Sequence, residues 1–180
     1  SMSAFCWSSS APNCVLRYIL SGLRSIVSIL RSGLFDADFY RNSNPRLGLL
    51  RRWPLGHYLL LGWRQSRNPS PLFDSRSYLH QNKDVGTHGV NPLAHYLRHG
   101  RCEGLDPHPL FATAWYLKRY PEVARSGKEP VLDFLHDGYR KGRSPCPEFD
   151  TAYYLSRYPD VAESGENPLV HYLTAGWRER

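Results

Sequence analysis

The stretch Phe149-Asp150-Thr151-Ala152-Tyr153-Tyr154-Leu155-Ser156-Arg157-Tyr158-Pro159-Asp160-Val161-Ala162 decides the fold. Asp150 suits a helix N-cap, because its carboxylate can accept from the first unpaired amides. Phe149 then falls at N′ and Tyr154 at N4, the two positions joined in a hydrophobic staple. Pro159 cannot sit inside that helix, so it ends the helix after about two turns or starts a new one. Further on, Asn167 can cap a second helix and Pro168 fits its first position, where a missing amide costs nothing. Leu169, Tyr172 and Leu173 give that helix an i, i+3, i+4 apolar face. Gly176 is expected to be the left-handed residue that closes it.

Working outward, the same pattern recurs every 38 residues from Leu34 to Arg180. Phe35, Phe73, Phe111 and Phe149 form one column, and Tyr40, Tyr78, Tyr116 and Tyr154 another. Pro54, Pro92, Pro130 and Pro168, then Gly62, Gly100, Gly138 and Gly176, complete the frame. Pro-x-Pro connectors at Pro69 and Pro71, Pro107 and Pro109, and Pro145 and Pro147 stiffen the step from one unit to the next. Helices this short are unstable alone and must bury their aromatic faces against neighbours. The expected fold is therefore all-α: an array of helix pairs at 34–71, 72–109, 110–147 and 148–180, either an open superhelix or a compact bundle. Residues 1–14 read as a flexible lead-in, with Ser1 ahead of Met2 as a cloning remnant and no secretory signal. The first unit is the least regular: Asn44-Pro45-Arg46-Leu47-Gly48 stands where the fourth has Tyr158-Pro159-Asp160-Val161-Ala162.

Charge is unevenly placed. The chain carries a formal net charge of +7, and residues 1–71 hold nine arginines against only Asp36 and Asp38, so the excess lies at the N-terminal end. Such asymmetry points to a local anionic partner. From Val15 to residue 33 the chain reads as a basic amphipathic helix. Leu16, Leu20, Leu23, Val27 and Leu30 make a heptad seam, widened by Ile19 and Ile26, with Arg17, Arg24 and Arg31 on its flank. Three readings stand side by side: a core helix over the first unit, an interfacial membrane helix, and a coiled-coil seam for a homo-oligomer. On the membrane reading, Leu16, Ile19, Leu20, Leu23, Ile26, Val27 and Leu30 insert, and Arg17, Arg24, Arg31, Arg51 and Arg52 meet anionic headgroups. No apolar run is long enough to span a bilayer.

The repeated positions read first as packing rather than as catalysis. His57, His95 and His171 share a column with Asp133, which reads as a hydrogen bond made within each unit. His95 and His99 have helical i, i+4 spacing with Glu103 and Asp106 nearby, but no closing ligand is fixed by spacing, so no metal is expected. Asp84, Glu122 and Asp160 lie 38 residues apart and do not form a catalytic pair. No glycine-rich phosphate loop or nucleophile elbow is present, and no cofactor is expected. Cys6, Cys14, Cys102 and Cys146 lack metal spacing and read as reduced thiols. Neutral charge over the last three units disfavours a nucleic-acid groove. Trp63, Tyr139 and Trp177 share a column beside Arg64, Arg140 and Arg178; they read as exposed rings for ligand stacking or as lids over the next unit's core, the lid being preferred.

The phrases Tyr158-Pro159-Asp160-Val161-Ala162, Asn91-Pro92-Leu93-Ala94-His95-Tyr96-Leu97 and Gly100-Arg101-Cys102-Glu103-Gly104, with the Pro-x-Pro-x-Phe-Asp connector, resemble a known repeat. It is found beside the catalytic domains of bacterial polysaccharide glycosyltransferases, including proteins of the rhamnan-synthesis type. The resemblance covers residues 34–180 and is blurred in the first unit. It implies an accessory, non-catalytic role at the cytoplasmic face of the inner membrane, with a glycosyltransferase or other polysaccharide-assembly protein, or a glycan, as partner. It carries over no catalytic residue. The alternatives are a fragment of a glycosyltransferase whose catalytic part lies elsewhere, and a soluble oligomeric adaptor.

Overall fold

The computed structural model describes residues 26–176. Among them the fold is all-α, with three two-residue bridges and no strand. Each unit holds an entry helix, a middle helix and an exit helix. The entry helices are Ala37–Ser43, Ser75–Gln81, Thr113–Arg119 and Thr151–Arg157. Asp36, Asp74 and Asp150 cap three of them through their carboxylates, whereas Ala112 offers the third no side-chain cap. The staple closes in every unit, with Phe–Tyr ring centroids 5.5, 5.3, 5.2 and 5.3 Å apart.

The sequence reading allowed two helices per unit, and the structure has three. Pro159 starts a short helix of its own, Pro159–Ser164, as Pro121 does for Pro121–Ser126. These middle helices bury one residue each, Val85, Val123 and Val161, and Leu47 fills that column in the first unit. The exit helices begin at Pro54, Pro92, Pro130 and Pro168 and widen into a π-type turn over Tyr58–Gly62, Tyr96–Gly100, Phe134–Gly138 and Tyr172–Gly176. Asn91, Glu129 and Asn167 cap three of them.

The glycine expectation needs correction. Gly62, Gly100 and Gly138 are right-handed, with φ of −59°, −52° and −60°. The left-handed residue comes four positions later, at Ser66, Gly104 and Gly142. In the first and third units it closes a Schellman motif: Arg67 N–H reaches Gly62 O and Arg143 N–H reaches Gly138 O, both at 3.0 Å. The column is glycine because a tyrosine passes across it. A Cβ at Gly62 would lie 2.0 Å from Tyr40 Oη, and one at Gly138 2.4 Å from Tyr116 Oη.

Each connector is tied back to the start of its own unit. Asp36, Asp74 and Ala112 each donate a backbone N–H to Pro69, Pro107 and Pro145 O, at 3.0, 2.9 and 3.1 Å. Tyr58, Tyr96 and Phe134 are fully buried. The Tyr96 hydroxyl bonds to the Glu129 carboxylate of the following unit. The array also meets its own beginning. The helix over residues 26–32 buries Ile29, Leu34 follows it into the core, and Gly33 lies beside Leu132 and His136 of the third unit.

Candidate functional site

The most regular polar feature is the bond between the tyrosine column and the residue 17 positions on. Tyr40, Tyr78 and Tyr154 hydroxyls lie 2.8, 2.9 and 2.8 Å from Nδ1 of His57, His95 and His171. Tyr116 donates to Asp133 Oδ2 at 2.8 Å. A carboxylate can only accept, so the column asks for an acceptor, which histidine supplies with an unprotonated Nδ1. Burial pushes the Tyr40 phenol up to about 12, against the lowering pull of Arg67, so it stays a donor at neutral pH. Burial lowers the His57 pKa, as does the Arg67 charge. Burial likewise lowers His95, with the His99 charge adding to it. Asp133 is charge-balanced by Arg143, whose Nη1 lies 2.5 Å from Oδ2 while Nη2 reaches Glu122 at 2.8 Å. All of these groups are spent on one another, and the column is structural.

The second candidate column is not exposed. Trp63 and Tyr139 are buried, at 6% and 5% of full exposure. Trp63 Nε1 donates to Leu59 O at 3.1 Å, and the Tyr139 hydroxyl reaches Gly165 O of the next unit at 2.7 Å. Arg64 and Arg140 lie over the remaining ring faces, 4.4 and 4.9 Å from the centroids. The Tyr139 contact reaches the next unit, and Trp63 is bonded within its own. Trp177 and Arg178 lie outside the described residues.

His95 and His99 ring centroids stand 5.0 Å apart, and His99 Nδ1 is 3.6 Å from Glu103. Among the described residues no three ligand-type side chains converge on a metal position. Cys102 and Cys146 are free thiols; burial raises Cys146 to about 11, which leaves it inert. Cys6 and Cys14 lie outside the described residues.

The remaining candidate is the first unit's outer surface. Of the proposed inserting residues, Leu16, Ile19, Leu20 and Leu23 lie outside the described residues, with Arg17 and Arg24. Val27 and Leu30 are exposed and Ile26 is half-buried, while Ile29 turns inward. The helix over 26–32 therefore packs on the array by one face and presents another. Beyond it, Leu49, Leu50, Trp53, Leu60 and Leu61 are exposed, Leu49 at 91% and Trp53 at 76%. Backbone geometry causes this. Leu47 holds the core position of the middle helix, then Gly48, at φ 56° and ψ −132°, breaks the turn ahead of Leu49 and Leu50. Where Leu49 stands, the other units carry Thr87, Arg125 and Glu163; where Trp53 stands, the capping Asn91, Glu129 and Asn167; where Leu60 stands, Arg98, His136 and Thr174. At the Leu49 and Leu60 columns exposed polar positions have become apolar in this unit alone, and at the Trp53 column a half-buried or buried capping residue has given way to an exposed ring. Arg31, Arg46, Arg51 and Arg52 are exposed as well and make no ion pair among the described residues. The sequence reading named the arginines and missed the leucines and Trp53; aligning the four units column by column marks them.

Comparison with protein family models, with curated proteins and with solved structures finds no match to this chain.

Proposed function

We propose that this chain is a non-catalytic scaffold that docks on an anionic membrane surface through its first unit and holds a polysaccharide-assembly protein or a glycan with the rest of the array. The observation that carries the docking half is the conversion of exposed polar columns to Leu49 and Leu60, with the exposed ring of Trp53 next to Arg51 and Arg52 in sequence. Exposed apolar side chains with an aromatic residue, and with arginines next to them in sequence, suit the boundary between acyl chains and anionic headgroups. Among the described residues no helix is long and apolar enough to cross a membrane, which is compatible with a peripheral attachment. The polysaccharide context rests on the resemblance of residues 34–180 to repeats beside bacterial glycosyltransferases, and that resemblance is also what supports a location at the cytoplasmic face of the inner membrane.

Flotation with anionic and neutral liposomes tests the docking. The chain is expected to float with anionic vesicles, to release as salt rises, and to stay down when Leu49→Ser and Trp53→Ser are combined. If the chain stays down with every vesicle and instead shows a concentration-dependent mass that this double substitution abolishes, the surface is a self-association seam and the adaptor reading replaces this one. Calorimetry with nucleotide sugars tests the non-catalytic half: saturable binding would make the chain part of a glycosyltransferase.

A further inference from the structure

In the third unit a small cavity of about 130 Å³ is lined in part by Glu122, Lys128, Asp133, Lys141 and Arg143. Three cations there face two carboxylates, and Arg143 takes both: Asp133 on Nη1 at 2.5 Å and Glu122 on Nη2 at 2.8 Å. In the first unit the same columns hold Arg46, Arg52, His57, Gln65 and Arg67. Three cations remain and both carboxylates are gone. Asp84, Glu122 and Asp160 fill the Arg46 column elsewhere, so its sign is reversed in this unit alone. The unit's two acids are already committed: Asp36 caps the entry helix and Asp38 pairs with Arg41 at 2.7 Å.

Arg67 is nevertheless half-buried. Its Nη1 donates to Asn44 Oδ1 at 2.7 Å and its Nε to Gln65 Oε1 at 2.8 Å. Asn44 Nδ2 in turn donates to Tyr40 O at 2.7 Å, which fixes the amide with its oxygen toward the guanidinium. Asn44 stands immediately before the middle helix Pro45–Arg52, and Arg46 is the second residue of that helix, as Glu122 is of Pro121–Ser126. The Arg67 head group is thus held at the end of the element where Arg143 meets Glu122, with amide oxygens in place of carboxylates. Among the described residues it makes no ion pair. Neutral acceptors leave its charge unbalanced, and guanidinium N–H groups bond most strongly to anionic oxygen.

We propose that Arg67 and Arg46 bind a phosphate group, carried either by a lipid headgroup or by a soluble phosphate ester. A tetrahedral phosphate presents oxygens in several directions, so one group can stand in for the two separate carboxylates that Arg143 holds; a single carboxylate replaces only one of them. The site goes beyond the docking proposed above, because a soluble phosphate can fill it whether or not the chain floats.

The test is an NMR titration of the isotope-labelled full chain with inorganic phosphate, with ionic strength held constant by chloride. The Arg67 Nε–H resonance is expected to shift saturably, with a Kd on the order of 1 mM. The His57 titration midpoint should rise as phosphate binds, since the anion offsets the guanidinium charge that, after burial, lowers it. Arg46→Glu puts back the carboxylate that Glu122 supplies in the third unit. It should weaken phosphate binding about tenfold or more without lowering the melting temperature, because Arg46 is exposed. Arg67→Gln should abolish binding, but it also breaks the Asn44 bond, so Arg46→Glu is the variant that separates binding from folding. The proposal fails if Arg67 does not shift saturably, if acetate binds as tightly as phosphate, or if Arg46→Glu binds phosphate like the parent. Vesicles of phosphatidylcholine with phosphatidic acid separate the two sources. Release of the chain from them by free phosphate at constant ionic strength supports the headgroup; shifts at Arg67 without such release support a soluble ester. Flotation lost while the Arg67 shift persists overturns the docking and leaves the site standing.

Discussion

Asp133 occupies a histidine column, and the reason it is tolerated lies ten residues away. Its carboxylate is buried, accepts from Tyr116 and pairs with Arg143 at 2.5 Å. Removing the cation leaves a buried charge with only a phenol to satisfy it. Arg143→Met is therefore expected to cost about 3–5 kcal/mol, read as a fall in the urea midpoint at constant slope. Asp133→Asn in the same background should recover part of that loss, because the neutral amide needs no counter-charge. The histidine units behave differently with pH. Burial holds the His57 and His95 pKa values below the ordinary histidine value, so the unfolded chain binds more protons than the folded one in mild acid. Stability rises with pH wherever the unfolded state holds the extra protons. The neutral imidazoles thus stabilise fully above the ordinary value of about 6.5, and that contribution is lost as pH falls through and below it. Thermal melts from pH 7.5 down to 5.5 should show a falling midpoint, and a less steep one in His57→Gln. A flat profile would mean the buried imidazoles accept protons without cost.

At the level of elements, most of the frame was readable because its causes are local. Asp150 as cap, the Phe149–Tyr154 staple, Asn167 and Pro168 at the exit helix and the periodic core all follow from side chains acting within one turn or one repeat. The middle helix was less legible, since Pro159 is equally compatible with a helix end and a helix start. The glycine column was misassigned because a close approach of Tyr116 to Gly138 is a tertiary fact, while glycine in sequence most often signals a left-handed cap. The two glycine roles separate by substitution. Gly138→Ala forces its Cβ to 2.4 Å from Tyr116 Oη and should cost about 1–3 kcal/mol through overpacking. Gly142→Ala has open space around it but keeps φ at 71°, so its cost of about 1–2 kcal/mol is backbone strain. Asparagine at each site tells them apart: it should relieve the loss at Gly142, where left-handed geometry suits it, and deepen it at Gly138. The missing cap at Ala112 points the other way. Ala112→Asp restores the side chain its counterparts use, and a gain of about 0.5–1 kcal/mol in chemical denaturation is expected.

For the whole molecule, the position of the 26–32 helix separates what stability and the proposed docking each require. Ile29 and Leu34 are in the core, and Gly33 rests against Leu132 and His136 of the third unit, so this segment closes the array on itself. Its other face, with Val27 and Leu30, is exposed and apolar, as are Leu49 and Trp53 of the first unit. The core-helix and membrane readings of the N-terminal segment are therefore not exclusive for the part described: one face is used for packing and the other is open. The physical consequence is that deletion and substitution must differ. Removing residues 1–33 takes away the exposed face and Ile29 together, so it should lower the melting temperature, with a loss of about 2–5 kcal/mol from the vacated core site. Leu49→Ser removes only an exposed side chain and should change stability by no more than about 0.5 kcal/mol, while Trp53→Ser places a capping residue at the N-cap of the exit helix and should, if anything, add about 0.5–1 kcal/mol. If the surface docks on lipid, the double variant folds like the parent and fails to float, while the deletion both melts earlier and fails to float. A deletion that melts like the parent would mean that Ile29 contributes nothing to the core. A double variant that loses stability as well as flotation would mean that Leu49 and Trp53 are held by the fold, and the case for docking through the first unit would go with it.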